Sequence, residues 1–264
     1  MTETLIDIGA NLTSPRFHKD LDAALTRAKD AGVDTILVTG TSLSGSREGL
    51  ALARDYPGFL YATAGVHPHD AKTWDDSAVE ALAGLARSPE VVALGECGLD
   101  FNRDFSPRDA QLHCFEAQLS LAAELGKPVF LHQRDAHEAF MPILRRYRDR
   151  LPGAVVHCFT GSGEELDDYL ALDCHIGITG WLCDERRGGE LRELVSRIPA
   201  ERLMIETDAP YLTPRNLDQK PKGNRNEPAL LPWVLQALAE CRGEEQEMLA
   251  RAVTDTTRRF FNLS

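Results

Sequence analysis

No apolar run in the chain reaches membrane-spanning length. Its start, Met1-Thr2-Glu3-Thr4-Leu5-Ile6-Asp7, shows neither a basic leader segment nor a long apolar stretch behind one. No membrane span is expected, and the expected location is cytoplasmic. Six cysteines, Cys97, Cys114, Cys158, Cys174, Cys183 and Cys241, are scattered without a CxxC pair, which argues against a disulfide framework and for reduced thiols. Positive charge is scarce as well. The 29 Lys and Arg residues face 41 Asp and Glu, a net charge of −12, so capture of nucleic acid by a broad basic surface is excluded. The remaining balance, 43% apolar and 27% charged, is that of a globular protein, and 264 residues suit one domain of barrel size, 1–264, with little left for a second.

Short runs rich in Val, Ile and Leu alternate with longer amphipathic stretches, and eight such pairs can be counted. The strands are predicted at Leu5–Asn11, Thr35–Gly40, Leu60–His67, Val91–Gly98, Pro128–Arg134, Ala154–Phe159, His175–Gly180 and Arg202–Asp208. Helical spacing marks Asp20–Ala31, Ala110–Leu125 and Leu191–Ile198, the first two followed at once by glycine. Strict βα alternation implies a parallel sheet with right-handed crossovers, and eight units let it close into an α/β TIM (β/α)8 barrel. The competing fold, an open doubly wound sheet, would carry a Gly-rich phosphate turn after its first strand. Here that strand runs into Gly9-Ala10-Asn11-Leu12, without GxGxxG. From about Glu227 the chain reads as one or two closing helices.

Metal-ligand residue types recur where the predicted strands end: Leu94-Gly95-Glu96, Phe130-Leu131-His132, Val155-Val156-His157 and Ile205-Glu206-Thr207-Asp208. A lone histidine in such a place is ordinarily a hydrogen-bonded core residue. Four such groups on one rim of a closed barrel are costly to bury without a compensating cation, so a divalent metal is expected among Glu96, His132, His157 and Asp208. Strand alternation puts Arg134 on the side of His132 and Glu206 on that of Asp208. Arg134 is thus a candidate for a substrate phosphate, and Glu206 either orients a ligand or pairs with a base in the barrel floor. His67, ahead of Pro68, continues the third strand as a candidate substrate contact or acid. His69 sits in the following loop, and His18, His113, His137 and His175 are read as structural.

These residues fall in motifs that closely resemble the TatD family of metal-dependent hydrolases: Asp7-Ile8-Gly9, Gly65-Val66-His67-Pro68, Gly95-Glu96-Cys97-Gly98-Leu99-Asp100, His132-Gln133-Arg134-Asp135, His157-Cys158-Phe159-Thr160-Gly161 and Glu206-Thr207-Asp208-Ala209-Pro210-Tyr211-Leu212. The stretches 180–187 and 225–228 resemble its deoxyribonuclease branch. The resemblance implies an amidohydrolase-like TIM barrel and a magnesium-dependent exonuclease that degrades single-stranded DNA from the 3′ end, with a place in DNA repair or degradation. It also implies the ligands Glu96, His132, His157 and Asp208, with His67 near the substrate. The partner expected is DNA, with no membrane and the chain acting as a monomer. Many relatives carry Asp-x-His-x-His on the first strand, where this chain has Asp7-Ile8-Gly9-Ala10-Asn11. Asp7, Asn11 and Glu206 are therefore expected behind the ligands, and a second ion only weakly held.

The working mechanism is phosphodiester hydrolysis with Asp208, Glu96 and His67 as catalytic residues. Two imidazoles favour zinc or manganese, whereas the resemblance implies magnesium. A DNA substrate is reconciled with net charge −12 if bases gather locally: Arg134, Arg186, Arg187, Arg215, Lys220, Lys222 and Arg225 fall at strand ends or in the loops after them. Trp181 and Tyr211 are either stacking platforms for bases or packing under a loop. A hydrolase of small esters, lactones or cyclic amides competes; such sites often use a carbamylated lysine on a strand, and Lys127 precedes its strand. A barrel that binds nucleic acid without catalysis is the rival from another class.

Overall fold

The computed structural model describes residues 4–219 and 221–263. Its strands are β1 (Leu5–Ala10), β2 (Val33–Val38), β3 (Leu60–Ala64), β4 (Val91–Asp100), β5 (Val129–Arg134), β6 (Ala154–Val156), β7 (His175–Ile178) and β8 (Leu203–Ile205). They form one eight-stranded sheet in chain order. A parallel bridge, Ala10 to Ala209, joins the chain beyond β8 to the end of β1. The helices are α1 (Leu21–Asp30), α2 (Leu43–Asp55), α3 (Asp76–Ala86), α4 (Arg108–Leu125), α5 (His137–Tyr147), α6 (Gly163–Ala171), α7 (Gly189–Leu194), α8 (Leu231–Arg242) and α9 (Gln246–Phe261). This order, a helix between each pair of neighbouring strands, is that of the (β/α)8 fold. Among the described residues no helix is long and apolar enough to cross a membrane.

The chain divides into two compact units, Met1–Leu37 with Cys158–Asp167 and Ile176–Ser264, and Val38–His157 with Asp168–His175. In the second unit β4 is buried along all ten residues, as a strand covered on both faces must be. Its neighbours α4 and α5 stack Phe115 on Phe140, with ring centroids 4.7 Å apart. In the first unit α9 buries Leu249, Ala250, Val253, Thr254, Thr257 and Phe261, a single stripe at helical spacing.

Strand ends differ from the sequence expectation in a way that matters for chemistry. β3, β6 and β8 stop at Ala64, Val156 and Ile205, so His67, His157 and Asp208 stand just past strand ends rather than within them. The backbone turns there: Cys158 and Asp208 have φ of 47° and 54°, and Pro68 follows His67. β4 does the opposite and continues to Asp100, two residues past its predicted end. The predicted helix 191–198 is shorter, with a 3-10 turn over Val195–Arg197 after α7. Two closing helices, α8 and α9, follow Glu227 as expected.

Between β4 and β5 the register shifts: Leu94 pairs with Val129 but Cys97 with Leu131. The extra residue on β4 is a bulge at Gly95 and Glu96, a device that re-aims a side chain. Two glycines permit it. A Cβ on Gly95 (φ 138°) would lie 2.2 Å from the Phe130 carbonyl oxygen, and one on Gly98 (φ 148°) only 1.8 Å from that of His132. Gly98→Ala therefore combines a forbidden φ with a backbone clash, and is expected to lower stability by about 3 kcal/mol or more. Urea unfolding of the two proteins measures it.

Candidate metal centre

The bulge delivers the Glu96 carboxylate to three imidazoles. Glu96 Oε1 lies 2.7 Å from His157 Nε2, 2.8 Å from His132 Nδ1 and 3.3 Å from His67 Nε2. His132 Nδ1 and His157 Nε2 are 3.4 Å apart. Glu96, His67 and His157 are 5%, 8% and 6% exposed. Ligand atoms of His67, Glu96 and His132 all fall within 4.8 Å of one another, a group able to hold a metal ion. One carboxylate oxygen has too few lone pairs to accept three N–H bonds well, whereas imidazole nitrogens and a carboxylate oxygen directed at one point form a coordination set. His132 Nε2 is also buried without a hydrogen-bond partner. The residues therefore fit a divalent cation. His67, read from sequence as a substrate contact or an acid, lies with Glu96 and His132 in that group.

Burial pushes the Glu96 carboxyl upward, yet His157, His67 and His132 together hold it well below the ordinary carboxylate range. It is an anion at neutral pH. Burial lowers the His67 pKa, leaving that ring neutral. For His132 burial also acts downward, but the carboxylates of Asp100 and Glu96 outweigh it and raise the pKa above 6.5.

Asp100 is the residue that sequence reasoning missed. Its Oδ2 takes a 2.7 Å hydrogen bond from His69 Nε2 and lies 3.6 Å from His132 Nε2, while its Oδ1 accepts from the backbone N–H groups of Asn102 and Arg103. Alternation along β4 was the available signal, since 96, 98 and 100 share a face. Helix α4 fixes both strand ends from behind. Gln118 accepts from Val66 N–H at 2.8 Å and donates to Val66 C=O at 2.9 Å. Seven residues earlier Gln111 does the same to Asp100, at 2.9 and 3.2 Å. Both amides are buried, so each replaces a missing strand partner for the backbone beside a functional side chain.

The other unit holds Asp208. Asn11 Nδ2 donates to Asp208 Oδ1 at 3.0 Å, and the buried Asn226 amide binds the carbonyls of Thr207 and Tyr211 at 2.8 and 2.6 Å. Asn226 thereby staples the turn that carries Asp208. Asp7 is fully buried; it accepts from Thr207 N–H at 2.9 Å and pairs with the Thr207 hydroxyl at 2.5 Å. Burial drives its pKa from 3.8 to about 7. Glu206, also fully buried, accepts from Cys158 N–H at 2.5 Å.

The expected basic rim is only partly available. Arg186 and Arg187 both bind the buried Asp184 at 2.9 Å, and Arg215 binds Glu185 at 3.1 Å. Arg225 is a strut: it holds Asp20 at 2.7 and 2.8 Å and donates to the Arg16 carbonyl at 2.7 Å. Arg134 ends β5, half-buried, on the face of His132. Lys220 and the Lys222 side chain lie outside the described residues.

A sheet of this order with an imidazole and carboxylate cluster at its strand ends defines a metal-dependent hydrolase of the (β/α)8 class. A profile of the TatD related DNase family matches residues 6–262, and the chain belongs to that family. It is 54% identical over 259 residues to the 3′-5′ ssDNA/RNA exonuclease TatD of Erwinia billingiae, covering 98% of this chain and 99% of the relative. With the protein of the same name from Escherichia fergusonii it shares 57% identity over 252 residues, 96% of each chain. Among solved structures, a TatD homolog from Escherichia coli k12 superposes with a TM-score of 0.91 at 33% identity, covering 100% of both chains.

Two outcomes follow from the titrating groups. A metal must displace the proton that Asp100 and Glu96 hold on His132, so metal affinity is expected to fall as pH drops through its raised pKa. Calorimetric titration with manganese at pH 8 and pH 6, in buffers of different protonation enthalpy, measures the decline and the released proton. Folded Asp7 keeps a proton that the unfolded chain loses near pH 3.8, so its contribution to stability is full below that pH and lost as pH rises through about 7. A shift of roughly three units corresponds to up to about 4 kcal/mol. Asp7→Asn is thus expected to gain stability relative to the parent at pH 8 and not at pH 4, read from urea denaturation at each pH.

Proposed function

We propose that this chain, one domain over 1–264 acting as a cytoplasmic monomer, is a divalent-metal-dependent 3′-5′ exonuclease on single-stranded DNA or RNA, serving nucleic-acid repair or degradation. The observation that carries the reading is the meeting of His67, His132 and His157 on one oxygen of Glu96. Kinship with nucleases named for that activity supports the substrate. Glu96, His132, His157 and Asp208 would hold the cation, with magnesium first by kinship and manganese or zinc suited to the imidazoles. When bound, the ion supplies Lewis-acid activation of water and neutralises phosphate charge.

The chain's own residues do the rest. Glu96 remains ionised beside the reacting phosphate and fixes the rings of His132 and His157. Asp208, its rotation set by Asn11, takes the proton of the attacking water. His67, neutral because it is buried, contacts the substrate through a hydrogen bond and keeps its proton, and the leaving oxygen takes its proton from solvent. Asp7, Asn11 and Glu206 hold the ligand-bearing backbone and side chains in place. Arg134 faces a substrate phosphate, and Arg186 and Arg187 would reach one only while sharing their charge with Asp184.

A 5′-labelled single-stranded oligonucleotide tests this with magnesium, manganese or chelator. A ladder shortening from the 3′ end is expected with metal and no cleavage in chelator. Glu96→Ala and Asp208→Ala should each lower the rate by more than about a hundredfold, beyond what loss of an outer-shell partner costs. Undiminished cleavage by both variants would remove these residues from the site. Hydrolysis of a lactone or ester panel with no oligonucleotide cleavage would replace the nuclease by a small-molecule hydrolase.

A further inference from the structure

A cavity of about 290 Å³ opens beside the turn that follows Asp208, near the lower bound for small-ligand pockets. Four guanidiniums line it against a single carboxylate, Asp184, in a chain whose net charge is −12. Three of the four are matched by acids, Arg186 and Arg187 by Asp184 and Arg215 by Glu185. Arg16 is not. Its guanidinium donates to the carbonyls of Pro210 at 3.0 Å and Gly223 at 3.4 Å, and among the described residues it pairs with no carboxylate. Backbone dipoles hold it in place without cancelling its charge. Its loop is braced by Arg225, which binds the Arg16 carbonyl and lies over the Phe17 ring. Arg16 is therefore a preorganised cation aimed at an open cavity.

The same cavity presents aromatic surface. The Arg187 guanidinium sits 4.1 Å above the Trp181 ring, and Tyr211 is 53% exposed. Tyr211 N–H donates to the Asp208 carbonyl at 3.0 Å, so this surface stands one turn from the residue assigned to the hydrolytic step. A fixed cation beside aromatic faces matches an anion joined to a flat ring, the two halves of a nucleotide. Resting on the exonuclease reading, we propose that this cavity seats a nucleotide next to the scissile linkage, with Arg16 on its phosphate and Trp181 and Tyr211 against its base. Arg16 sits in the loop between β1 and α1 and was not among the basic residues expected to meet DNA.

Binding measured without turnover tests the subsite apart from the chemistry. The probe is a fluorescein-labelled oligo-dT in chelator, followed by anisotropy across a salt series with the full-length chain. Arg16→Ala is expected to weaken binding about tenfold and to reduce the slope of log K against log salt by about 0.7, the value for one phosphate of a single strand. Tyr211→Ala, which alters an exposed side chain, is expected to weaken binding at least about fivefold, and the loss should vanish on an oligonucleotide of abasic residues while that of Arg16→Ala persists. Arg54→Ala, removing an exposed charge on α2, is the control for net charge. Binding by Arg16→Ala that matches Arg54→Ala in affinity and slope overturns the proposal. Arg16-dependent binding with no cleavage in magnesium or manganese supports the subsite and overturns the exonuclease reading instead.

Discussion

The interaction on which the rest depends is the burial of one carboxylate oxygen, Glu96 Oε1, against three imidazole nitrogens. An isolated carboxylate so buried would be several kcal/mol out of balance and would take up a proton. Here the surrounding rings keep it ionised, and the arrangement asks for a cation. Much of the local architecture serves that one point. The β4 bulge turns Glu96 inward, Gly95 and Gly98 let the β5 backbone come close enough for His132 to reach it, and the α4 glutamines pin Val66 and Asp100.

Charge is handled by the same principle of local placement. A chain of net −12 repels a polyanion at long range, and screening confines any attraction to about a Debye length, ~8 Å at physiological salt. Most of the loop arginines near the Asp208 turn are spent on carboxylates: Asp184 fixes two, Asp20 and Glu227 fix Arg225. These pairs build a rigid rim rather than a basic field. Free positive charge survives where backbone carbonyls, not acids, hold the guanidinium, and Arg16 meets that condition.

Sequence revealed what is encoded locally. Alternating patterns located all eight strands, and apolar runs ending in Glu96, His132 and His157 identified three members of the cluster. Asp100 was passed over because β4 runs on beyond Gly98 through a stretch that reads as a turn, held in strand geometry by Gln111 from a helix that follows it. Arg16 was invisible for a different reason: its significance comes from a carbonyl 194 residues away. Arg225 was misjudged likewise, since its partner Asp20 lies 205 residues away. Periodicity reports which way a side chain faces, and it carries no information about the acid or carbonyl it will meet there.

The first strand shows why a missing ligand need not leave a gap. Gly9 and Asn11 stand where many relatives place histidines. Had Asn11 offered its carbonyl to Asp208, two oxygens would repel, so the amide must present its nitrogen, which donates to Oδ1 and has no lone pair for a metal. Two residues upstream from Gly9, Asp7 is sealed against Thr207, adjacent in sequence to Asp208, with its pKa raised to about 7 by burial. Of the two altered positions Gly9 brings no side chain and Asn11 brings a hydrogen-bond donor that orients Asp208, while Asp7, the acid that relatives also carry, holds the neighbouring Thr207. That chemistry leaves the imidazoles to the Glu96 cluster and makes the first strand the support of the turn that carries Asp208.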